Sequence, residues 1–166
     1  MTQTDTQTKI QLRHPDVEDG VRIWQLVQAA GTLDLNSCYA YLMVCRDFSA
    51  TSVIAEAGDQ AIGFVTGYRP PPNPDALFVW QVGVAPAGRG KGVAGRMLEF
   101  LINAEACRGV RRLITNVTPS NAASRALFLG FARRVGAPLE ESPGFGAALF
   151  PEPSHEPERL LSIGPF

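Results

Sequence analysis

The sequence has few of the residues that build disulfide or metal sites. It contains three cysteines and two histidines in 166 residues. Cys38, Cys45 and Cys107 are odd in number and show no C-x-x-C spacing. These features predict neither a disulfide framework nor a zinc site. Free thiols of this kind are typical of packing residues in a reducing compartment.

Long apolar runs and an excess of one charge are also missing. No apolar run approaches the ~20 residues that cross a bilayer, and the Thr/Gln-rich stretch from Met1 to Lys9 lacks the apolar core of a signal peptide. A formal net charge of −1 argues against a broad basic face for nucleic acid. We therefore expect a cytoplasmic protein that binds neither nucleic acid nor membrane.

The chain has enough apolar residues, 45%, for one domain with a full core. We expect a disordered tail over residues 1–8 and one mixed α/β domain over residues 9–166, since no repeat or linker divides the sequence. The predicted order of elements is β-α-α-β-β-β-α-β-α-β-β. Strands are predicted at 10–13, 51–57, 61–68, 77–84, 110–117, 131–135 and 159–163, and helices from Pro15–Asp16 to Gly31 and over 38–47, 92–107 and 121–129.

A glycine-rich basic turn is the clearest functional signal. The predicted strand 77–84 stops before Pro86, the turn Gly88-Arg89-Gly90-Lys91-Gly92 follows, and an amphipathic helix then begins near Val93. Glycines let the backbone approach an anion, and the free N–H groups of a helix start point at it. This arrangement predicts a phosphate-binding loop, although an ordinary strand–turn–helix connection would have a similar sequence.

Two common phosphate-binding motifs fit this turn poorly. A nucleoside-triphosphate loop needs Ser or Thr after its lysine, and Gly92 follows Lys91. The letters Gly90-x-Gly92-x-x-Gly95 fit a dinucleotide motif, but Asn116 stands near where an acidic residue should end the second parallel strand.

The better match is Arg89-x-x-Gly92-x-Ala94, which resembles the acetyl-CoA pyrophosphate loop of the Gcn5-related N-acetyltransferase superfamily. The order of elements resembles that superfamily too. The resemblance implies a central mixed sheet, flanked by helices, in which strands 77–84 and 110–117 splay apart around the pantetheine arm. It also implies that the strand backbone binds this arm and polarises the acetyl carbonyl, as an oxyanion hole does. The cofactor-binding residues implied are Val82, Gly83, Val84, Arg89, Gly90, Lys91, Gly92, Val93, Ala94, Asn121, Ser124 and Phe128.

An acetyl acceptor needs a base, because a protonated amine has no lone pair. Asp34, Tyr39, His155 and Glu158 are the candidates, although most such side chains are simply solvated. Trp80 could belong to the core or could attract an alkylammonium group by a cation–π contact. Many superfamily members place near Phe128 a tyrosine that protonates the leaving thiolate, and Phe128 has no hydroxyl.

Longer segments resemble one family, the L-2,4-diaminobutyrate N-acetyltransferases of ectoine synthesis. The matching segments are 34–42 (DLNSCYAYL), 67–71, 77–82, 118–125 and 155–158. The resemblance implies a dimer that transfers acetyl from acetyl-CoA, without a metal, to the N4 amine of L-2,4-diaminobutyrate. The substrate-binding residues implied are Asp34, Asn36, Tyr39, Trp80, His155 and Glu158.

Within that set, Glu158 and Asp34 are the candidates for holding and deprotonating the amine. The resemblance implies that a backbone N–H group of residues 82–84 donates the catalytic hydrogen bond to the acetyl carbonyl. We expect direct attack in a ternary complex, because a lone cysteine such as Cys38 is more often a packing residue than an acetyl carrier. The alternatives are acetylation of another small amine and a non-catalytic acyl-CoA sensor.

Overall fold

The computed structural model describes residues 9–166, and the tail expected over residues 1–8 lies outside them. Its strands form one sheet in the order β1-β2-β3-β4-β5-β7-β6, in which only β4 and β5 are parallel. The strands are β1 (Ile10–Arg13), β2 (Val53–Ala57), β3 (Gln60–Tyr68), β4 (Ala76–Val84), β5 (Arg112–Val117), β6 (Leu139–Pro143) and β7 (Arg159–Ile163); the helices are α1 (Asp19–Ala30), α2 (Cys38–Asp47), α3 (Val93–Ile102) and α4 (Ala122–Val135).

The sheet is covered on both faces, and each face has its own core. Helices α3 and α4 pack on one face, where Met97, Leu98 and Phe131 are buried among strand residues. Helices α1 and α2 pack on the other face, where Tyr41 and Phe64 are buried. This architecture and the order of elements confirm the predicted mixed α/β fold.

The ends of the helices follow from local chemistry. The Ser37 hydroxyl accepts the Ala40 N–H and caps α2, which begins at Cys38 as predicted. Gly31 ends α1 in the left-handed conformation, with φ 65°, which glycine adopts at little cost. No helix within residues 9–166 is both long and apolar enough to cross a membrane.

Several predicted boundaries are wrong. Residues 131–135, predicted as a strand, continue α4, because Phe128, Phe131 and Ala132 form one buried helical stripe and the helix accommodates Gly130. The strand that pairs with β7 is instead 139–143. Helix α3 ends at Ile102 and a short 3-10 turn, Glu105–Cys107, follows. Helix α1 begins at Asp19 rather than at Pro15–Asp16, strand β2 begins at Val53, and β5 begins at Arg112.

A group of four charged side chains joins α1 to the edge of the sheet. Arg13 donates to both carboxylate oxygens of Asp19, at 2.6 and 3.0 Å, and Arg22 bridges Asp19 and Glu56 at 2.8 and 2.7 Å. Asp19 is buried, and burial raises its pKa, but hydrogen bonds from Arg13, the Asp16 backbone and Arg22 outweigh this effect and hold the pKa at about 2. The carboxylate is therefore ionised and paired in the folded protein.

Candidate active site

A gap opens between the two parallel strands at the centre of the sheet. Strands β4 and β5 pair only from Ala76 and Arg112 to Val79 and Thr115. The Thr115 hydroxyl donates to the Val79 carbonyl at 2.9 Å, where the pairing ends. Beyond that point β4 continues to Val84 without a partner on its β5 side, so its backbone borders the gap.

The backbone of β4 turns two of its N–H groups toward this gap. Gln81 and Ala85 donate their backbone N–H groups in the opposite direction, toward β3. Because these groups alternate along a strand, those of Val82 and Val84 face the gap. Gly83 plays a different part, since a Cβ there would stand 2.4 Å from the Phe64 ring. The structure thus brings Val82 and Val84 to the gap, whereas Gly83 provides room for packing on the other face.

The turn after β4 forms a cradle of unpaired N–H groups. The first helical hydrogen bond of α3 runs from the Arg96 N–H to the Gly92 carbonyl. The N–H groups of residues 90–95 find no acceptor among the described residues. Gly90 and Gly92 have φ of 72° and 68°, so the turn needs the left-handed conformation at both positions. Such a cradle at a helix start is a built site for a phosphate group.

A cavity of about 400 Å³ lies over this cradle. The predicted residues Arg89, Gly90, Gly92, Val93 and Ala94 line it together with Val84, whereas the side chain of Lys91 does not reach it.

Arg134, which is not among the residues predicted from the sequence, brings a second positive charge to this cavity from the end of α4. Its guanidinium lies over Gly95 in the first turn of α3, where a Cβ would stand 3.1 Å from a guanidinium nitrogen. Glu99 pairs with it at 3.3 Å.

A second cavity, of about 490 Å³, continues along β4 and α4 from the first. Five of the six predicted substrate-binding residues line it, together with predicted cofactor-binding residues on β4 and α4. Aromatic and polar residues that are not among the predicted ones complete the lining. The lining includes Asp34, Asn36, Phe78, Trp80, Gln81, Val82, Asn116, Thr118, Asn121, Ser124, Phe128, Phe145, Phe150, His155 and Glu158.

Tyr39 is the predicted substrate residue that does not line this cavity; its side chain is 65% exposed. Tyr41, two positions further along α2, is fully buried and stacks on Trp80 with ring centroids 5.9 Å apart. Trp80 keeps 37% of its surface exposed and lines the cavity. An aromatic face is therefore available to a ligand in the cavity.

Glu158 and His155 enter the cavity from the segment between β6 and β7. The Glu158 backbone donates to the Phe145 carbonyl at 2.8 Å, which fixes its place in that segment. Burial raises the pKa of the Glu158 carboxyl; the charge of His155 lowers it and that of Asp34 raises it, with a net upward shift. A carboxylate with a raised pKa is better suited than an ordinary one to accept a proton near neutral pH.

His155 is held in one orientation. Its ring stacks on Phe150 with centroids 3.6 Å apart, and its Nδ1 lies 2.6 Å from the Glu156 carbonyl. Nδ1 therefore carries the proton that this contact requires, and in the neutral ring Nε2 is the nitrogen with a free lone pair. Glu156 itself accepts a hydrogen bond from the Ser120 hydroxyl, which ties the segment to the loop before α4.

Helix α4 borders both cavities. Asn121, Ser124 and Phe128 line the second cavity, and Leu127 and Arg134 line the first. The Asn121 side chain caps the helix by accepting the Ser124 N–H at 3.1 Å.

The two cavities carry opposite charges. The described side chains that line the second include Asp34 and Glu158 but no lysine or arginine, and those that line the first include Arg89 and Arg134 but no carboxylate. In the part of the chain that the structure describes, no group of three His, Cys, Asp or Glu side chains is placed to hold a metal ion. The geometry suits an anionic, phosphate-bearing ligand in one cavity and a cationic ligand in the other.

Comparison with known proteins finds matches over most of this chain. The model of the acetyltransferase (GNAT) family matches residues 21–131. L-2,4-diaminobutyric acid acetyltransferase from Nocardia farcinica is 46% identical over 93% of this chain and 79% of that protein. The protein of the same name from Marinococcus halophilus is 46% identical over 92% of this chain and 88% of that protein.

A solved structure is similar along almost its whole length. It is the diaminobutyrate acetyltransferase EctA from Paenibacillus lautus in complex with its substrate L-2,4-diaminobutyric acid and coenzyme A. It is 46% identical, covers 95% of this chain and 96% of that chain, and superposes with a TM-score of 0.90.

Proposed function

This chain belongs to the acetyltransferase (GNAT) family and, within it, to the L-2,4-diaminobutyric acid acetyltransferases, and we propose that it transfers the acetyl group of acetyl-CoA to the N4 amine of L-2,4-diaminobutyrate. The observation that carries the proposal is the pair of cavities along β4, one with arginines and unpaired N–H groups and the other with two carboxylates. The product is N4-acetyl-L-2,4-diaminobutyrate.

The chain's own groups fit acetyl-CoA. The N–H groups of residues 90–95 and the Arg89 guanidinium hold the diphosphate, and the backbone of Val82 and Val84 binds the pantetheine arm. When bound, acetyl-CoA supplies a thioester whose carbonyl carbon accepts the amine. An N–H group from β4 donates to that carbonyl oxygen and stabilises the negative charge that grows there during attack.

The second cavity fits the acceptor. Asp34 and Glu158 attract its ammonium groups, and the face of Trp80 adds a cation–π contact. The side-chain amides of Asn116 and Asn121 can donate to its carboxylate. A substrate with two amines and one carboxylate thus finds a partner for each charged group.

Glu158 is the base that we assign to the reaction. Its pKa is raised, mainly by burial, so the carboxylate can take the proton that an ammonium group must lose before attack. Asp34, which is exposed at the cavity mouth, holds the positive charge instead. The two roles differ because the surroundings differ: Glu158 is more buried than Asp34, and the more desolvated carboxylate is the better base.

The acetyl group passes directly from the thioester to the amine. Burial raises the pKa of the Cys45 thiol to about 12 and also raises that of Cys107, so neither is a nucleophile near neutral pH. Cys38 lines neither cavity. The departing thiolate needs little assistance, because an ordinary thiol has a pKa of about 8.5, which accounts for a Phe at position 128 without a hydroxyl.

The direct test is turnover of acetyl-CoA with L-2,4-diaminobutyrate, ornithine, lysine and putrescine, with the acetyl position read by NMR. We expect a strong preference for diaminobutyrate and a single N4-acetyl product. Preference for another amine would overturn the substrate, and acetyl-CoA binding without turnover on any amine would support a sensor instead.

Three further properties belong to the proposal. Following the family resemblance, we propose that the protein is cytoplasmic and forms a homodimer. We propose also that its product serves ectoine synthesis and osmotic protection. Exposed apolar side chains on α2 and at both of its ends support a subunit contact; they are Leu35, Tyr39, Met43 and Phe48. Light scattering of the purified protein tests the assembly, and a mass of about 18 kDa would overturn it, since one chain has 17.9 kDa.

A further inference from the structure

Gln81 uses both the oxygen and the nitrogen of its side-chain amide to join three elements. It lies on β4 and is 8% exposed. Its Oε1 accepts the Tyr41 hydroxyl at 2.9 Å, and its Nε2 donates to the backbone carbonyl of Asp34 at 2.9 Å. One buried amide therefore connects β4 to α2 and to the loop between α1 and α2.

That loop, residues 31–37, has little else to hold Asp34 in place. Asp34 is exposed, and Asn36 donates to the same carbonyl at 3.3 Å from within the loop. Within residues 9–166, the Gln81 contact is the one hydrogen bond from the sheet to this loop. Leu33 adds an apolar contact beside Gly83. The position of the Asp34 backbone relative to β4 thus depends on this one hydrogen bond and on the packing of Leu33.

The neighbours of Gln81 along β4 belong to the other substrate. Val82 follows it directly and faces its N–H into the gap, and Trp80 precedes it and lines the acceptor cavity. A contact that fixes Asp34 relative to residue 81 therefore also fixes it relative to the strand that holds the acetyl group. Displacement of about 1 Å between reacting groups is enough to slow a reaction strongly.

We propose that Gln81 is a positioning residue for the acceptor amine: its amide holds Asp34 and Tyr41 against β4 and so sets where the amine binds relative to the acetyl carbonyl. The inference rests on the proposed function in so far as Asp34 binds the acceptor. Gln81 lines the acceptor cavity, but both ends of its amide are engaged by Tyr41 and Asp34, so its assigned role is to act through Asp34.

The chemistry explains why the residue is an amide. The amide oxygen accepts a hydrogen bond from the Tyr41 hydroxyl, and the amide nitrogen donates one to the Asp34 carbonyl. A glutamate of the same size would direct an oxygen at the Asp34 carbonyl and would place a negative charge near Asp34 and Glu158. A methionine of similar length would leave both partners without a hydrogen bond.

The test measures each substrate separately in Gln81→Met, Gln81→Glu and Tyr41→Phe. We expect KM for the acceptor to rise about 10- to 100-fold in both Gln81 variants, the range for loss of a buried hydrogen bond with its partner left unpaired. KM for acetyl-CoA should change less than about twofold, because the phosphate cradle is untouched. Tyr41→Phe removes one arm only and should raise KM for the acceptor less. Gln60→Met is the matched control, since it makes the same change at an exposed strand position.

Hydrogen–deuterium exchange gives a readout that does not depend on the substrate. The amides of residues 32–37 should exchange faster in both Gln81 variants than in the wild type, with no change at residues 90–95. Acceptor and acetyl-CoA KM values that rise together, or unchanged exchange in the loop, would overturn the positioning role. If the wild type prefers another amine, the proposed substrate fails, while the same variants measured on that amine still decide the role of Gln81.

Discussion

Replacing Glu158 with glutamine removes the proposed base while leaving its surroundings intact. The substitution keeps the size of the side chain and the backbone bonds that residue 158 makes with Gly144 and Phe145, at 3.0 and 2.8 Å. Glutamine can still accept a hydrogen bond from an ammonium group, but it cannot take the proton. We therefore expect kcat to fall while the fold and the affinity for coenzyme A are retained.

The size of the loss follows from the role. Removal of a general base lowers a rate by about 10²–10⁴-fold, and a 10²-fold loss corresponds to about 2.7 kcal/mol of transition-state stabilisation. The pH dependence gives a second signature. Because the pKa of Glu158 is raised, the carboxylate forms at a higher pH than an ordinary glutamate does, and activity should rise with pH through that range. In Glu158→Gln this step should be absent.

The assay is steady-state release of coenzyme A across pH, with calorimetry for coenzyme A binding. Glu156→Gln is the matched control, because it makes the same change two positions away on a side chain that contacts Ser120 and does not line the cavity. Its kcat should stay within about threefold of the wild type. A Glu158→Gln variant with wild-type kcat and an unchanged acid limb would refute the assignment and move the base to another group.

Three further predictions concern the cofactor site and the fold. Arg89→Ala should weaken coenzyme A binding about 10- to 100-fold in calorimetry, as expected for loss of a charged hydrogen bond to phosphate. Arg96 is exposed and lies outside that cavity, so Arg96→Ala should leave the affinity unchanged. Gly83→Ala should lower the free energy of unfolding by about 1–3 kcal/mol, measured by urea denaturation, because its Cβ would stand 2.4 Å from the Phe64 ring; an unchanged midpoint would contradict the tight packing. Asp19 has a pKa of about 2 in the folded protein, below its value in the unfolded chain, so at pH values above the unfolded pKa it adds roughly 2–3 kcal/mol to the free energy of unfolding, and this contribution is lost as pH falls toward 2. In Asp19→Asn the free energy of unfolding should therefore fall less steeply with decreasing pH. The same pH dependence as in the wild type would refute the role.

The sequence was most informative where function depends on the backbone. The turn around Arg89 and Gly92 could be identified because glycine spacing, a helix start and a preceding strand are all local patterns. The fold class followed from the order of elements for the same reason. The roles of individual side chains in these places remain predictions that the proposed variants test.

Helix geometry separates two tyrosines that the sequence places together. Tyr39 and Tyr41 both lie in the segment 34–42, and only Tyr39 is among the substrate-binding residues that the resemblance implies. Because α2 begins at Cys38, residues two positions apart point to opposite sides of the helix. Tyr41 is buried against Trp80, and Tyr39 faces solvent. Serine is a favoured N-cap residue, so Ser37 fixes the start of α2 and, with it, the two directions.

Other site residues left no such signal. Phe145 and Phe150 come from a Pro/Gly-rich segment without periodicity, and only the pairing of β6 with β7 brings them over the cavity. Arg134 lies in the stretch that was predicted as a strand, so its place beside Gly95 could not be inferred. For the two phenylalanines the missing information is a long-range strand pairing; for Arg134 it is the full length of α4 and its packing against α3.

A one-residue bulge explains how β4 serves both substrates. Thr66 of β3 pairs with Gln81 and the next residue pairs with Val79, so Trp80 has no partner. Before the bulge, Leu77 and Val79 face the core under α3 and α4. After the bulge, the side chains that face this core are those of Val82 and Val84. In a strand without the bulge, the side chain of residue 81 would point into that core, and the backbone N–H groups of Val82 and Val84 would point away from the gap. The reason is that one added residue exchanges the two faces of a strand. With the bulge, Gln81 meets Tyr41 and Asp34 on the acceptor side while Val82 and Val84 present their N–H groups to the gap. The bulge therefore sets the acceptor loop and the acetyl-binding backbone in one geometry.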